Sequence, residues 1–250
     1  MLFTIIVILI IGLVILAIII NAIQQHKEEQ EAIKRREMKR VNHVIDETET
    51  IMMASSHLPT PNVVVSILNG RIVSALKVLK KLNPKAYSID QRIADAQAKA
   101  EISGEAVPAE PPNFALPEQE KTIMQYIHTA KKLRMVLRSE QNKGRVPGAI
   151  ASALDSYYEK LLLRINIETL YKRGLKAKET NMLGSARQYF EKCQKALAAV
   201  PEQDNYTEQK DEQVKEQLNQ IQQMLRAEQE AANGGPAREE DEQFATKTKW

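Results

Sequence analysis

The chain has 250 residues, of which 43% are hydrophobic and 27% charged but only 5% aromatic. With nine glycines and ten prolines, it lacks the aromatic content and dense turns of a sandwich or barrel, so the composition predicts an all-α fold. The one cysteine, Cys193, excludes an internal disulfide and a cysteine-rich zinc centre, and a formal charge of +3 sets no demand for a nucleic-acid partner.

The chain opens on Leu2 to Ile23, an aliphatic run broken only by Thr4, Gly12, Ala17, Asn21 and Ala22 and free of charge. A helix of this length reaches about 33 Å, enough for a hydrocarbon core of about 30 Å, so the run predicts a transmembrane helix over 2–23, with the lipid bilayer as its partner. A cleavable signal peptide fits less well. No Lys or Arg precedes the run, the apolar core exceeds the usual 7–15 residues, and Asn21-Ala22-Ile23-Gln24-Gln25 is no small-x-small cleavage site. Lys27, Lys34, Arg35, Arg36, Lys39 and Arg40 follow the span closely, and basic flanks stay on the cytoplasmic side. The expected topology is therefore single-pass, N-terminus outside and C-terminal body cytoplasmic, at the inner membrane if the source is bacterial.

From 24 to 54 no proline or glycine interrupts the chain, which predicts a juxtamembrane helical stalk. Met38, Val41, Ile45, Thr48 and Met52 alternate three and four apart along it. This short seam reads as a packing stripe within the chain in preference to a coiled-coil dimer, and it keeps a second copy of the chain among the candidate partners. A helical hairpin is expected over 60–102. Its first helix opens at Thr60 as N-cap with Pro61 behind it and ends at Asn83-Pro84. Its second opens on a Ser88–Gln91 capping box. Residues 103–117 hold Pro108, Pro111, Pro112 and Pro117 with no Lys or Arg, the composition of a semi-extended linker dividing the cytoplasmic part.

A second helical domain is expected over 118–232. Ile123, Ile127, Ala130, Leu133 and Leu137 stripe one helix, which Gly144 to Gly148 breaks. Leu154, Tyr158, Leu161 and Ile165 stripe the next, and a change of phase near Asn166 predicts a bend or a new helix there. Val214, Leu218, Ile221 and Leu225 lie on one face of the last helix. The tail, 233–250, lacks an apolar face and reads as disordered.

Gly174, Gly184, Ala186, Phe190 and Cys193 fall in an order that resembles a tetratricopeptide repeat, the 34-residue helix-turn-helix unit, over about residues 166–201. In this reading Gly174, Gly184, Ala186 and Phe190 pack the hairpin: Gly174 lets the second helix approach the first, Ala186 sits opposite it and Phe190 fills the gap. A plain helical hairpin is the alternative. The resemblance implies a non-catalytic domain that binds segments of partner proteins. It carries over no contact residues, because the paired Asn and Lys pattern of the peptide clamps is missing.

No nucleotide-binding glycine loop, G-x-S-x-G or H-E-x-x-H occurs, and His26, His43, His57 and His128 show no ligand spacing. Catalytic, metal-binding and cofactor-binding residues are therefore expected to be absent, and Cys193 reads as a small buried hydrophobe. Lys131, Lys132, Arg134, Arg138, Lys143 and Arg145 gather in one stretch, against Glu118, Glu120 and Glu140. They are the candidate contacts for an anionic partner, either nucleic acid or anionic lipid, although Tyr126 alone offers a base to stack on. The leading expectation is a membrane-anchored scaffold or adaptor binding an unidentified protein. The alternative is a membrane-tethered nucleic-acid or anionic-lipid binder.

Overall fold

Helix-favouring residues and sparse breakers produce seven helices and no strand among the described residues of the computed structural model. Those residues are 2–84, 88–101, 106–200 and 204–233, with side chains described at Leu13, Leu16 and from Ile18 to Glu230 within those ranges. The helices are α1 (Leu2–Ser55), α2 (Asn62–Leu82), α3 (Ile89–Ala100), α4 (Glu120–Asn142), α5 (Gly148–Glu179), α6 (Leu183–Ala198) and α7 (Asn205–Asn233). Of the tail expected over 233–250, Asn233 is the last residue of α7 and 234–250 lie outside the described residues, as do linker residues 103–105.

The chain divides into two compact units, one of residues 1–114 and 119–158, the other of 115–118 and 159–250. This corrects the division expected at the proline-rich linker. The boundary falls inside α5, because α4 carries its buried stripe of Ile123, Ala130, Leu133 and Leu137 into the first unit, where it packs with α1. No new helix begins near Asn166, since α5 is one uninterrupted helix. Its apolar phase shifts because its two ends serve different cores.

In the first unit Ile45 of α1 packs with Ile72, Val73 and Leu76 of α2 and with Ile89 and Ala96 of α3. Val41, Val44 and Met52 lie against the same cluster, so the seam along α1 is filled within the chain. Each fully buried Leu, Ile or Val contributes about 1.5–3 kcal/mol, which makes the far end of the expected stalk a core element. By length and composition, α2 is the one helix among the described residues apolar enough to cross a membrane, and 44% of that apolar window is buried in the protein. Tyr157 fastens the α1–α2 connection by donating to the Pro59 carbonyl at 2.6 Å.

Two local expectations at the hairpin change. Pro61, in extended conformation, is the N-cap of α2, while the Thr60 hydroxyl donates back to the Ser55 carbonyl at 3.0 Å. Ser88 has helical φ and ψ and makes no side-chain cap, so the expected capping box does not form.

The second unit is built from the later part of α5 with α6 and α7. Ile167, Ala177, Ala186, Phe190, Cys193 and Val214 are among its buried residues. Asn181 takes φ +57° and ends α5. Its N–H donates to the Lys178 carbonyl at 3.0 Å and the next N–H, of Met182, to the Ala177 carbonyl at 2.8 Å. These are the two bonds of a Schellman turn, and Asn tolerates the left-handed conformation better than most residues. Before α7, Asp204 Oδ1 accepts the Thr207 N–H, and Thr207 Oγ1 accepts the Asp204 N–H, both at 2.8 Å. Such a reciprocal cap satisfies donors that the first helical turn leaves open.

Candidate functional site

The hairpin residues singled out by spacing separate into two kinds. A Cβ built on Gly174 would stand 2.7 Å from Phe190 Cζ, so the bare backbone of α5 is what admits the ring. Phe190 and Ala186 are fully buried, and Tyr171 meets the Phe190 ring edge-on at 5.5 Å between centroids. Gly184 is different. It is exposed in the first turn of α6 with nothing within 4 Å of a built Cβ, so the hairpin does not close on it, contrary to expectation. Cys193 is fully buried; its Sγ lies 3.8 Å from the Ile167 carbonyl, and burial pushes its thiol pKa up to about 12. A thiol so placed holds almost no thiolate at neutral pH.

The six basic residues proposed as anion contacts do not form one free face. Arg134 grips Asp155 with two hydrogen bonds, at 2.7 and 2.9 Å, and Arg138 adds a third at 2.9 Å. Hydrogen bonding from Arg134 leads in lowering the Asp155 carboxyl pKa to about 2, against the opposing effect of burial. Lys143 and Arg145 each reach Glu140 at 2.8 Å. Lys131 is exposed and Lys132 half-buried. Four of the six thus hold α4 and its flanks together through ion pairs within the fold. The sequence shows charges but not which carboxylates fold against them.

The same ion pairs build a cleft. Gly144, at φ +70°, ends α4 in a Schellman turn, with its N–H donating to the Gln141 carbonyl at 2.8 Å and the Arg145 N–H to the Glu140 carbonyl at 3.0 Å. That turn folds Arg145 back over Glu140, whose side chain is 1% exposed. On the other side Arg71 of α2, 8% exposed, reaches Glu140 and Glu47 of α1, both at 3.4 Å. Burial alone would raise the Glu140 carboxyl pKa, but the hydrogen bonds and charges of Lys143 and Arg145 outweigh it and hold it below the ordinary value. Arg40, Arg71, Lys143 and Arg145 border a cavity of about 290 Å³, with Glu37 on its rim. Val41, Val44, Ala75 and Val78 supply its apolar walls.

Sequence reasoning counted Glu140 merely as a counter-charge and passed over Arg71. A signal was present. Glu140 continues the stripe Ala130, Leu133, Leu137 in register, and Arg71 falls between Leu68 and Ala75 on the buried side of α2. A charge in the register of a buried stripe has to be paired.

A second groove, of about 700 Å³, lies along α4, where Lys121, Met124, Gln125 and His128 meet His57. Among the described residues no three His, Cys, Asp or Glu side chains come together in a way that would hold a metal ion. No protein-family model, curated protein or solved structure matches the chain.

Proposed function

We propose that this chain is a non-enzymatic, single-pass membrane adaptor whose helical body, facing the cytoplasm, binds other proteins. One observation carries the reading. α1 runs unbroken from Leu2 to Ser55, exposing Leu13, Leu16, Ile18, Ile19, Ile20 and Ile23 near its start and burying Ile45, Thr48 and Ile51 near its end. Exposed aliphatic side chains at that density are unfavourable in water and suit lipid, so the same helix would anchor at one end and nucleate a folded unit at the other. Tethering would hold the body in a thin layer and raise its effective concentration for membrane-proximal partners.

The hairpin of α5 and α6 is read as tetratricopeptide-like, supported by the Gly174–Phe190 contact and by buried Ala186, with α7 as the next helix packed on it. The internal pairing of Arg134, Arg138, Lys143 and Arg145 favours a protein partner over nucleic acid or anionic lipid.

Alkaline carbonate extraction of membranes from cells expressing the full chain tests the anchor. The chain is expected in the pellet, and release into the supernatant would reject it. Topology is read with an impermeant maleimide directed at Cys193. Because the thiol is buried, it should label only after denaturation, and only when the reagent has reached the cytoplasmic side.

A further inference from the structure

The cleft beside α1 deepens the adaptor reading and rests on it. Four cations border the cleft or its floor, and three carboxylates, Glu37, Glu47 and Glu140, stand against them, so one positive charge is left in surplus. The pairing is also incomplete. Both Arg71 contacts are 3.4 Å long, where a charge-assisted hydrogen bond ordinarily measures about 2.7–2.9 Å, and the buried Arg71 Nε has no hydrogen-bond partner. A buried guanidinium with an unmade bond costs free energy that one further acceptor would recover.

We infer that the cleft binds a single carboxylate side chain from an acidic segment of a partner protein, with an adjacent aliphatic side chain covering Val41, Val44 and Val78. Three features select this ligand. Charge balance calls for one negative charge. The forked donors of Arg40, Arg71 and Arg145 match the two oxygens of a carboxylate, the group that two of these arginines already hold within the protein. The walls are aliphatic, and Val78, 45% exposed, is among the large hydrophobic side chains the fold leaves uncovered. A cavity of about 290 Å³ accommodates side chains, not a folded surface.

The test uses the full chain in nanodiscs of uncharged lipid and a fluorescent peptide alternating glutamate and leucine, with a glutamine–leucine peptide as its neutral counterpart. The acidic peptide is expected to bind saturably and about tenfold more tightly than the neutral one. Arg40→Glu and Val78→Glu should each weaken it by about tenfold. Arg40 is exposed on α1, so that variant is informative even if Val78→Glu disturbs the fold, which a thermal melt reports. Equal binding of the two peptides, indifference to Arg40→Glu, or the absence of saturable binding would overturn the assignment. So would displacement of the peptide by inorganic phosphate, or by vesicles of anionic lipid, at lower concentration than by free acidic peptide. Carbonate extraction remains the separate test of the anchor. A chain that stays in the pellet yet ignores the acidic peptide loses the cleft assignment and keeps the membrane reading.

Discussion

The two units solve the problem of burying charge in opposite ways. In the second unit Arg164 pairs with Asp204 at 3.0 Å, and its guanidinium lies over the Tyr206 ring, 4.5 Å from the centroid. Lys210 is similarly held, by Glu168 at 2.8 Å and over the Tyr171 ring at 4.6 Å. In the first unit Lys143, Arg145 and Arg71 all converge on Glu140, and the cluster opens on a cavity. A closed pair covered by an aromatic ring is a structural fastening, whereas an open cluster with more cations than carboxylates is the basis of the binding inferred above. The aromatic side chains around Phe190 close the second unit, and the cleft leaves the first unit accessible.

The contrast can be broken most severely at Phe190. Truncation to Ala should cost about 3–5 kcal/mol, because a fully buried ring is lost opposite a glycine that cannot fill the space. Hydrogen exchange should show the loss in α6 and α7, with protection of α2 and α4 retained. Glu140→Gln comes next, at about 2–3 kcal/mol, below the full figure for a broken buried pair because Lys143 and Arg145 keep contact with water. Its exchange signature should appear in α2 and α4.

Gly174→Ala should then cost about 1–3 kcal/mol, since the added methyl meets the Phe190 ring at 2.7 Å in a full core. Gly184→Ala, with open space around it, should leave the melting temperature unchanged or slightly raised. Equal effects from the two glycines would remove the close approach as the organising feature of the hairpin. Acid should weaken the fold as well. The Asp155 pKa is depressed from 3.8 to about 2, so its contribution is complete above 3.8 and lost as the pH falls toward 2. The Glu140 contribution fades in the same direction as its carboxyl protonates. A urea titration series between neutral pH and pH 2 should show stability falling, and Asp155→Asn should flatten part of that fall.

Much of this was legible from local spacing, because helical periodicity is a property of neighbouring residues. The all-helical class, the apolar opening of α1, the buried face of α7 through Val214 and Ile221, and the fit of Phe190 against Gly174 follow from residues three, four or sixteen apart. Gly184 was misread by the same route, since spacing marks a small residue without showing whether anything approaches it.

The chain by itself therefore determined that the fold is helical and which residues of α2, α4 and α7 turn inward. Only the tertiary structure decided where the compact units divide along α5, that Arg134 and Arg138 belong to Asp155, and that Arg40, Arg71, Lys143 and Arg145 border one cleft. The reason is range. A turn of helix is set by bonds among residues four apart, but Arg71 and Glu140 are 69 positions apart, and their pairing exists only once α1, α2 and α4 have packed.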